Sequence, residues 1–134
     1  MNVTRTETLP LEKEQDIVMA RQAVRKLTLE LRFSLVDQTK MVTAASEIAR
    51  NTLIHGGGGC MQWEVLSDGS KNGIRLTFED KGPGIPNLEL AMMDGWTSGS
   101  GLGMGLSGTK RLVNEFELQS EPGRGTRVTI ARWK

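Results

Sequence analysis

Two glycine-rich stretches carry the chemistry that this chain can do. Asp80-Lys81-Gly82-Pro83-Gly84 sets a carboxylate on a tight turn, and Gly101-Leu102-Gly103-Met104-Gly105-Leu106 follows it and leads towards a helical run. A carboxylate can accept a hydrogen bond from the exocyclic amine of a base. Glycines let backbone N–H groups approach phosphates, and a helix N-terminus behind them favours negative charge. Upstream, Glu47 and Asn51 are separated by one helical turn and so share a face. These pieces suggest a nucleotide site.

The elements that must position those residues can be read from periodicity. Residues 3–9 predict an edge strand. A helix opens at Glu12-Lys13-Glu14, and Ile17, Ala20, Val24, Leu27 and Leu31 give it one apolar stripe, with Arg21, Arg25, Lys26 and Glu30 on the solvated side. Asp37 is the expected cap of a second helix that runs to about Ile54, with Met41, Ala44, Ala45, Ile48 and Thr52 buried. The glycines at 56–59 end it.

Beyond it, Met61–Val65 and Ile74–Glu79 alternate as two strands of an antiparallel hairpin, with Asp68-Gly69 and Asn72-Gly73 as turn dipeptides. A short helix is expected over 87–94. The second glycine loop should feed a helix that turns Leu106, Thr109, Leu112, Val113 and Phe116 inward. A strand near 116–120, a turn at 121–125 and a last strand over 126–133 follow.

The alternation of the second hairpin strand places Asp80 on the side of Ile74, Leu76 and Phe78. A carboxylate in phase with a core face is costly unless something satisfies it, which makes Asp80 a candidate ligand contact. An aspartate that caps its own turn is equally consistent with Asp-x-Gly.

Composition narrows the function classes. The chain has 134 residues, 37% hydrophobic and 25% charged, as expected for one globular domain spanning 1–134. Its 17 basic and 16 acidic residues give a net charge of +1, which offers no electrostatic support for nucleic-acid binding. The one cysteine, Cys60, can form neither an internal disulfide nor a structural zinc site. No secretion signal or membrane-spanning run is evident, so a cytoplasmic protein is expected.

Three kinds of glycine loop compete. A P-loop requires Gly-x-x-x-x-Gly-Lys-Ser/Thr, whereas Gly103–Lys110 places its lysine one position late. The dinucleotide fingerprint fits Gly103, Gly105 and Gly108, but the residues before it, Asp94-Gly95-Trp96-Thr97-Ser98-Gly99-Ser100, are no strand.

The third kind fits in order: Glu47-x-x-Arg50-Asn51, Asp80-x-Gly82-x-Gly84, Gly101-x-Gly103-x-Gly105 and Gly125-Thr126. This set resembles the superfamily of DNA gyrase B subunits, heat-shock protein 90, MutL and histidine kinases. Within it, the short chain and stretches such as Ser46-Glu47-Ile48-Ala49-Arg50-Asn51 and Asp94-Gly95-Trp96-Thr97-Ser98 resemble the bacterial anti-sigma serine/threonine kinases, above all the RsbT-type switch kinases of the stressosome.

The resemblance implies a Bergerat ATP-binding fold, an α/β two-layer sandwich with helices on one face of a mixed, mostly antiparallel sheet. It also implies roles. Asn51 would hold Mg²⁺ against the phosphates of ATP, and Glu47 would act as general base. Asp80 would meet the adenine amino group with Gly82 and Gly84 allowing close approach, and Thr126 would help to hold the base or its bridging water. Gly101, Leu102, Gly103, Met104 and Gly105 would wrap the phosphates, with 95–105 as a lid.

The implied activity is a protein serine/threonine kinase acting on a STAS-domain antagonist. Partner switching to a PP2C-type phosphatase or another output regulator would follow, without nucleic acid or membrane; homo-oligomerisation stays open. The alternative is a binding module in which ATP only shapes a surface that sequesters a regulator.

Overall fold

The computed structural model describes residues 2–82, 105–121 and 123–134. Helix α1 (Glu14–Glu30) follows strand β1 (Asn2–Leu11), and the Asp16 carboxylate accepts the Glu12 and Lys13 amides at 2.8 and 3.1 Å, satisfying backbone donors ahead of its first turn. Ile17, Ala20, Val24 and Leu27 are buried, and Leu31 is partly buried. Arg21, Arg25, Lys26 and Glu30 are exposed, as the spacing requires.

Helix α2 (Leu35–Ile54) is capped by Ser34, not by Asp37: the Ser34 Oγ accepts the Asp37 amide at 3.1 Å. A serine three positions ahead satisfies the orphan donor directly. That frees the Asp37 carboxylate for Arg132, whose Nη2 donates to it at 2.6 Å. Met41, Val42, Ala44, Ala45, Ile48, Ala49 and Thr52 form the buried face of α2.

Among the described residues the sheet has five strands in the order β1-β2-β3-β5-β4, and each of its four pairings is antiparallel. The remaining strands are β2 (Gly59–Ser67), β3 (Asn72–Asp80), β4 (Glu115–Glu121) and β5 (Gly125–Trp133). One face presents Met61, Trp63, Ile74, Leu76, Phe78, Val128 and Ile130 to the two long helices and is buried. Each such side chain contributes about 1.5–3 kcal/mol by leaving water. The other face is polar, and on it Arg75 grips Glu64 through two hydrogen bonds of 2.8 and 3.1 Å.

Two further expectations need correction. Asn72 and Gly73 do not form a turn but begin β3, opposite Ser67 and Leu66. The turn belongs to Asp68, whose Oδ1 accepts the Ser70 and Lys71 amides at 2.9 and 2.7 Å and closes the connection before Asn72. Helix α3 (Gly105–Lys110) is also shorter than expected.

Bonds from the Arg111 amide to the Gly108 carbonyl and from the Leu112 amide to the Thr109 carbonyl tighten the end of α3. The Asn114 amide then bonds the Ala131 carbonyl at 2.9 Å and draws the chain onto β5. Leu112 and Val113 therefore lie in the connection and Phe116 on β4, while Leu106 and Thr109 stay buried on the helix. The helix expected over 87–94 lies outside the described residues.

Candidate nucleotide site

The site grows from the C-terminus of α2. There the Asn51 carbonyl accepts the His55 and Gly56 amides at 2.9 and 3.2 Å, and the Thr52 carbonyl accepts the Gly58 amide at 3.1 Å. These bonds end the helix and lay Gly56 against the carboxyl of Asp80. A Cβ on Gly56 would fall 2.3 Å from the Asp80 Cγ, so only glycine lets the helix end approach this closely.

Asp80 is the last residue of β3, opposite Gly59, and it is half-buried on the helix side of the sheet. The turn-capping reading of Asp80 holds. Its Oδ1 accepts the Gly82 amide at 2.9 Å, which caps its own turn, and the Thr126 amide at 3.2 Å from β5. Among the described residues Oδ2 accepts no hydrogen bond, which leaves it as an acceptor for a ligand.

The β5 side is fixed by a second contact network. Gly125 has φ +95, and a Cβ there would lie 2.2 Å from the Asp80 carbonyl oxygen. The Ser120 and Thr126 hydroxyls are 2.9 Å apart, and Ser120 Oγ donates to the Gly125 carbonyl at 3.1 Å. Sequence reasoning named Thr126 but missed Ser120 and treated Gly56 only as a helix breaker. Neither carries a sequence signal, because both act through strands or helix ends that meet only in the fold.

Glu47 and Asn51 lie on α2 at half-buried positions, one turn apart. Neither side chain has a hydrogen bond or ion pair with another described residue, so both are available to a ligand. Among the described residues no group of three or more His, Cys, Asp or Glu could hold a metal ion. Gly105 is the first residue of α3, whereas Gly84, Gly101, Leu102, Gly103 and Met104 lie outside the described residues.

The site thus joins a half-buried carboxylate fixed by two backbone amides, two closely packed glycines, and a Glu and an Asn on the adjoining helix that engage no other described residue. The chain belongs to the histidine kinase-, DNA gyrase B- and HSP90-like ATPase family, whose model matches residues 36–134. It is 45% identical over 120 residues to the serine/threonine-protein kinase RsbT of Bacillus subtilis (strain 168), covering 90% of each chain. It is also 30% identical to the anti-sigma F factor of Clostridium beijerinckii, covering 91% of this chain and 89% of that one.

Among solved structures, one containing the RsbU and RsbW domains of a Mycobacterium tuberculosis protein superposes with a TM-score of 0.66 at 20% identity. The match covers 96% of this chain and 32% of that one, so this chain spans about a third of that longer protein. A chain of the SiaB–SiaC complex from Pseudomonas aeruginosa superposes with a TM-score of 0.57 at 11% identity, covering 98% of this chain and 91% of that one. Both likenesses concern the fold. No helix among the described residues is long and apolar enough to cross a membrane.

Proposed function

We propose that this chain is a protein serine/threonine kinase that transfers the γ-phosphoryl group of ATP to a hydroxyl on a STAS-domain antagonist protein. The observation that carries the reading is that Glu47 and Asn51, which engage no other described residue, lie on the helix whose C-terminal end packs against Asp80 through Gly56. The kinship to a kinase at 45% identity supports it.

In this reading the Asp80 Oδ2 accepts a hydrogen bond from the amino group of adenine, and the two amides on Oδ1 hold the carboxylate in place. Thr126, tied to Ser120, flanks the base. Gly82 and Gly84 allow the base to approach. Gly101, Leu102, Gly103, Met104 and Gly105 would enclose the phosphates, and Asn51 would hold Mg²⁺, which would neutralise charge on the phosphates.

Glu47 accepts the proton of the incoming hydroxyl. As that oxygen bonds to the γ-phosphorus, the bond to the β,γ-bridging oxygen breaks and ADP leaves. Phosphoryl transfer needs chiefly positioning and charge stabilisation, which one carboxylate beside a metal-holding amide supplies. Release of the phosphorylated antagonist then frees the kinase for a PP2C-type phosphatase or another output regulator, in a cytoplasmic switch.

The kinship to anti-sigma F factors favours a second reading, in which the chain also or only sequesters a regulator when ATP is bound. Labelled ATP incubated with STAS proteins separates the two. Label on a Ser or Thr that is lost in Glu47→Ala supports the kinase. ATP binding and complex formation without transfer in the wild type support the binding module.

A further inference from the structure

Arg50 stands inside the motif Glu47-x-x-Arg50-Asn51, yet the nucleotide site makes no use of it. It is exposed on α2 and has no hydrogen bond or ion pair with another described residue. It leaves even Glu47 unpaired, although residues three apart on a helix are within reach of each other. Four positions beyond Arg50, Ile54 is a large apolar side chain that is 59% exposed.

Positions 47, 50, 51 and 54 are spaced by three and four, so they form one stripe along α2. Met41, Ala44, Ala45, Ile48 and Thr52 bury the opposite side of the helix, which turns this stripe away from the core. The short connection over 31–34 makes α1 and α2 antiparallel neighbours, so the first turns of α1 lie beside the last turns of α2. There Val18 and Met19 are 45% and 52% exposed. The end of the helix layer next to the site therefore carries exposed apolar side chains and a positive charge that no described residue engages.

We propose, resting on the kinase reading of this site, that Arg50 and Ile54 form the subsite that recognises the acceptor protein. Arg50 pairs with an Asp or Glu close to the acceptor hydroxyl, and Ile54 packs on an apolar side chain of the same segment.

A general base must lie about 2.6–3.2 Å from the oxygen whose proton it takes. The acceptor segment therefore rests on Glu47. Side chains three or four positions apart on a helix are only roughly 5–6 Å apart at Cβ, so that segment also meets the neighbours of Glu47 along the stripe. Asn51 is committed to the nucleotide in this reading, which leaves Arg50 and then Ile54 to the protein. A guanidinium takes a carboxylate through two parallel hydrogen bonds, which sets orientation as well as charge. It also offsets the repulsion between Glu47 and that carboxylate, and it rejects a segment that carries a lysine in the same place.

The test uses the STAS protein that the wild type phosphorylates, with labelled ATP and initial rates over a range of each substrate. Arg50→Glu should raise KM for the STAS protein by about tenfold or more, because it sets like charges together, and should leave KM for ATP unchanged. Ile54→Ala should raise the same KM by about threefold or more, again without an effect on ATP. Both side chains are exposed, and circular dichroism identifies any variant that fails to fold.

Replacing the Asp and Glu residues around the acceptor of the STAS protein by Lys, one at a time, should find the partner of Arg50. That exchange should impair transfer by the wild type and restore it with Arg50→Glu, which a merely structural arginine would not allow. An unchanged KM for the STAS protein in Arg50→Glu, a raised KM for ATP in its place, or the lack of any restoring exchange would each overturn this assignment. A wild type that labels no STAS protein would overturn the kinase reading itself, and Arg50 would lose its acceptor with it.

Discussion

The Asp80 carboxylate and the Thr126 amide meet at 3.2 Å although 46 positions separate them, and this one bond joins the end of β3 to the start of β5 at the centre of the candidate site. The same Oδ1 also holds Gly82, so the orientation of the carboxylate is set by two backbone donors and not by side chains that could rotate away. Asp80→Asn keeps an oxygen for both amides but replaces Oδ2 with an amide nitrogen that cannot accept. The protein should stay folded with Tm nearly unchanged, while ATP affinity falls by about tenfold or more, the size of one lost hydrogen bond to a charged acceptor. Calorimetric titration with ATP beside a thermal melt checks both halves.

The close approach of Gly56 to Asp80 gives a prediction with a built-in control. A methyl at Gly56 collides with the carboxyl, whereas one at Gly57 meets nothing within 4 Å and carries only the cost of φ +74. Gly56→Ala should destabilise by about 1–3 kcal/mol through overpacking and should weaken nucleotide binding as well. Gly57→Ala should cost about 1–2 kcal/mol and leave binding intact. Urea melts and ATP titrations of the two variants, side by side, separate a defect in the site from a general backbone defect. Equal loss of binding in both would mean that the helix end does not shape the site.

Much of this was legible in the sequence, and the parts that were not share a cause. The stripe Ile17, Ala20, Val24, Leu27 fixed one face of α1 because helical spacing is a local property, and the alternation through Phe78 put Asp80 on the helix side for the same reason. The order of Glu47, Asn51, Asp80 and Gly125-Thr126 pointed to the site through resemblance. What stayed hidden depends on contacts between distant segments. The Thr126 amide, rather than its side chain alone, serves Asp80; Gly56 matters because of what it packs against; and α3 stops at Lys110 because β5 draws in Asn114. Ser34 rather than Asp37 caps α2, and the Asp37 carboxylate instead meets Arg132, which is 95 positions away.

Asn51 and Glu47 should fail in different ways if their proposed roles are right. Asn51→Ala should weaken ATP binding when Mg²⁺ is present and change it little when EDTA removes the metal, because the amide acts on the cation. Glu47→Gln should bind Mg-ATP about as well as the wild type and lose phosphate transfer to a STAS substrate by about 100-fold or more, the contribution usual for a positioned general base. Titrations with and without EDTA, followed by single-turnover transfer, distinguish them. A Glu47→Gln protein that transfers normally would remove Glu47 from the chemistry.

The Asp37–Arg132 pair ties the first turn of α2 to β5 and, through the 2.8 Å bond from Arg132 Nη1 to the Leu112 carbonyl, to the chain leaving α3. The Arg132 side chain is only 14% exposed, so removing its carboxylate partner strands a largely buried cation. The hydrogen bond from Arg132, aided by its charge and by Ser34, holds the Asp37 carboxyl below the ordinary carboxylate value of 3.8. A group whose pKa is lower in the folded state binds protons more readily when unfolded, so its stabilisation is complete above the unfolded value and is lost as pH falls through the folded one. Asp37→Asn should therefore cost about 1.5–3 kcal/mol at neutral pH, the range for hydrogen bonds to charged groups. The difference from wild type should shrink steadily below about pH 4, as the wild-type carboxyl protonates and its advantage disappears. Urea denaturation of both proteins from neutral pH to about pH 3 measures this directly. A difference that stayed constant across that range would show that Arg132 is held by its Leu112 contact alone.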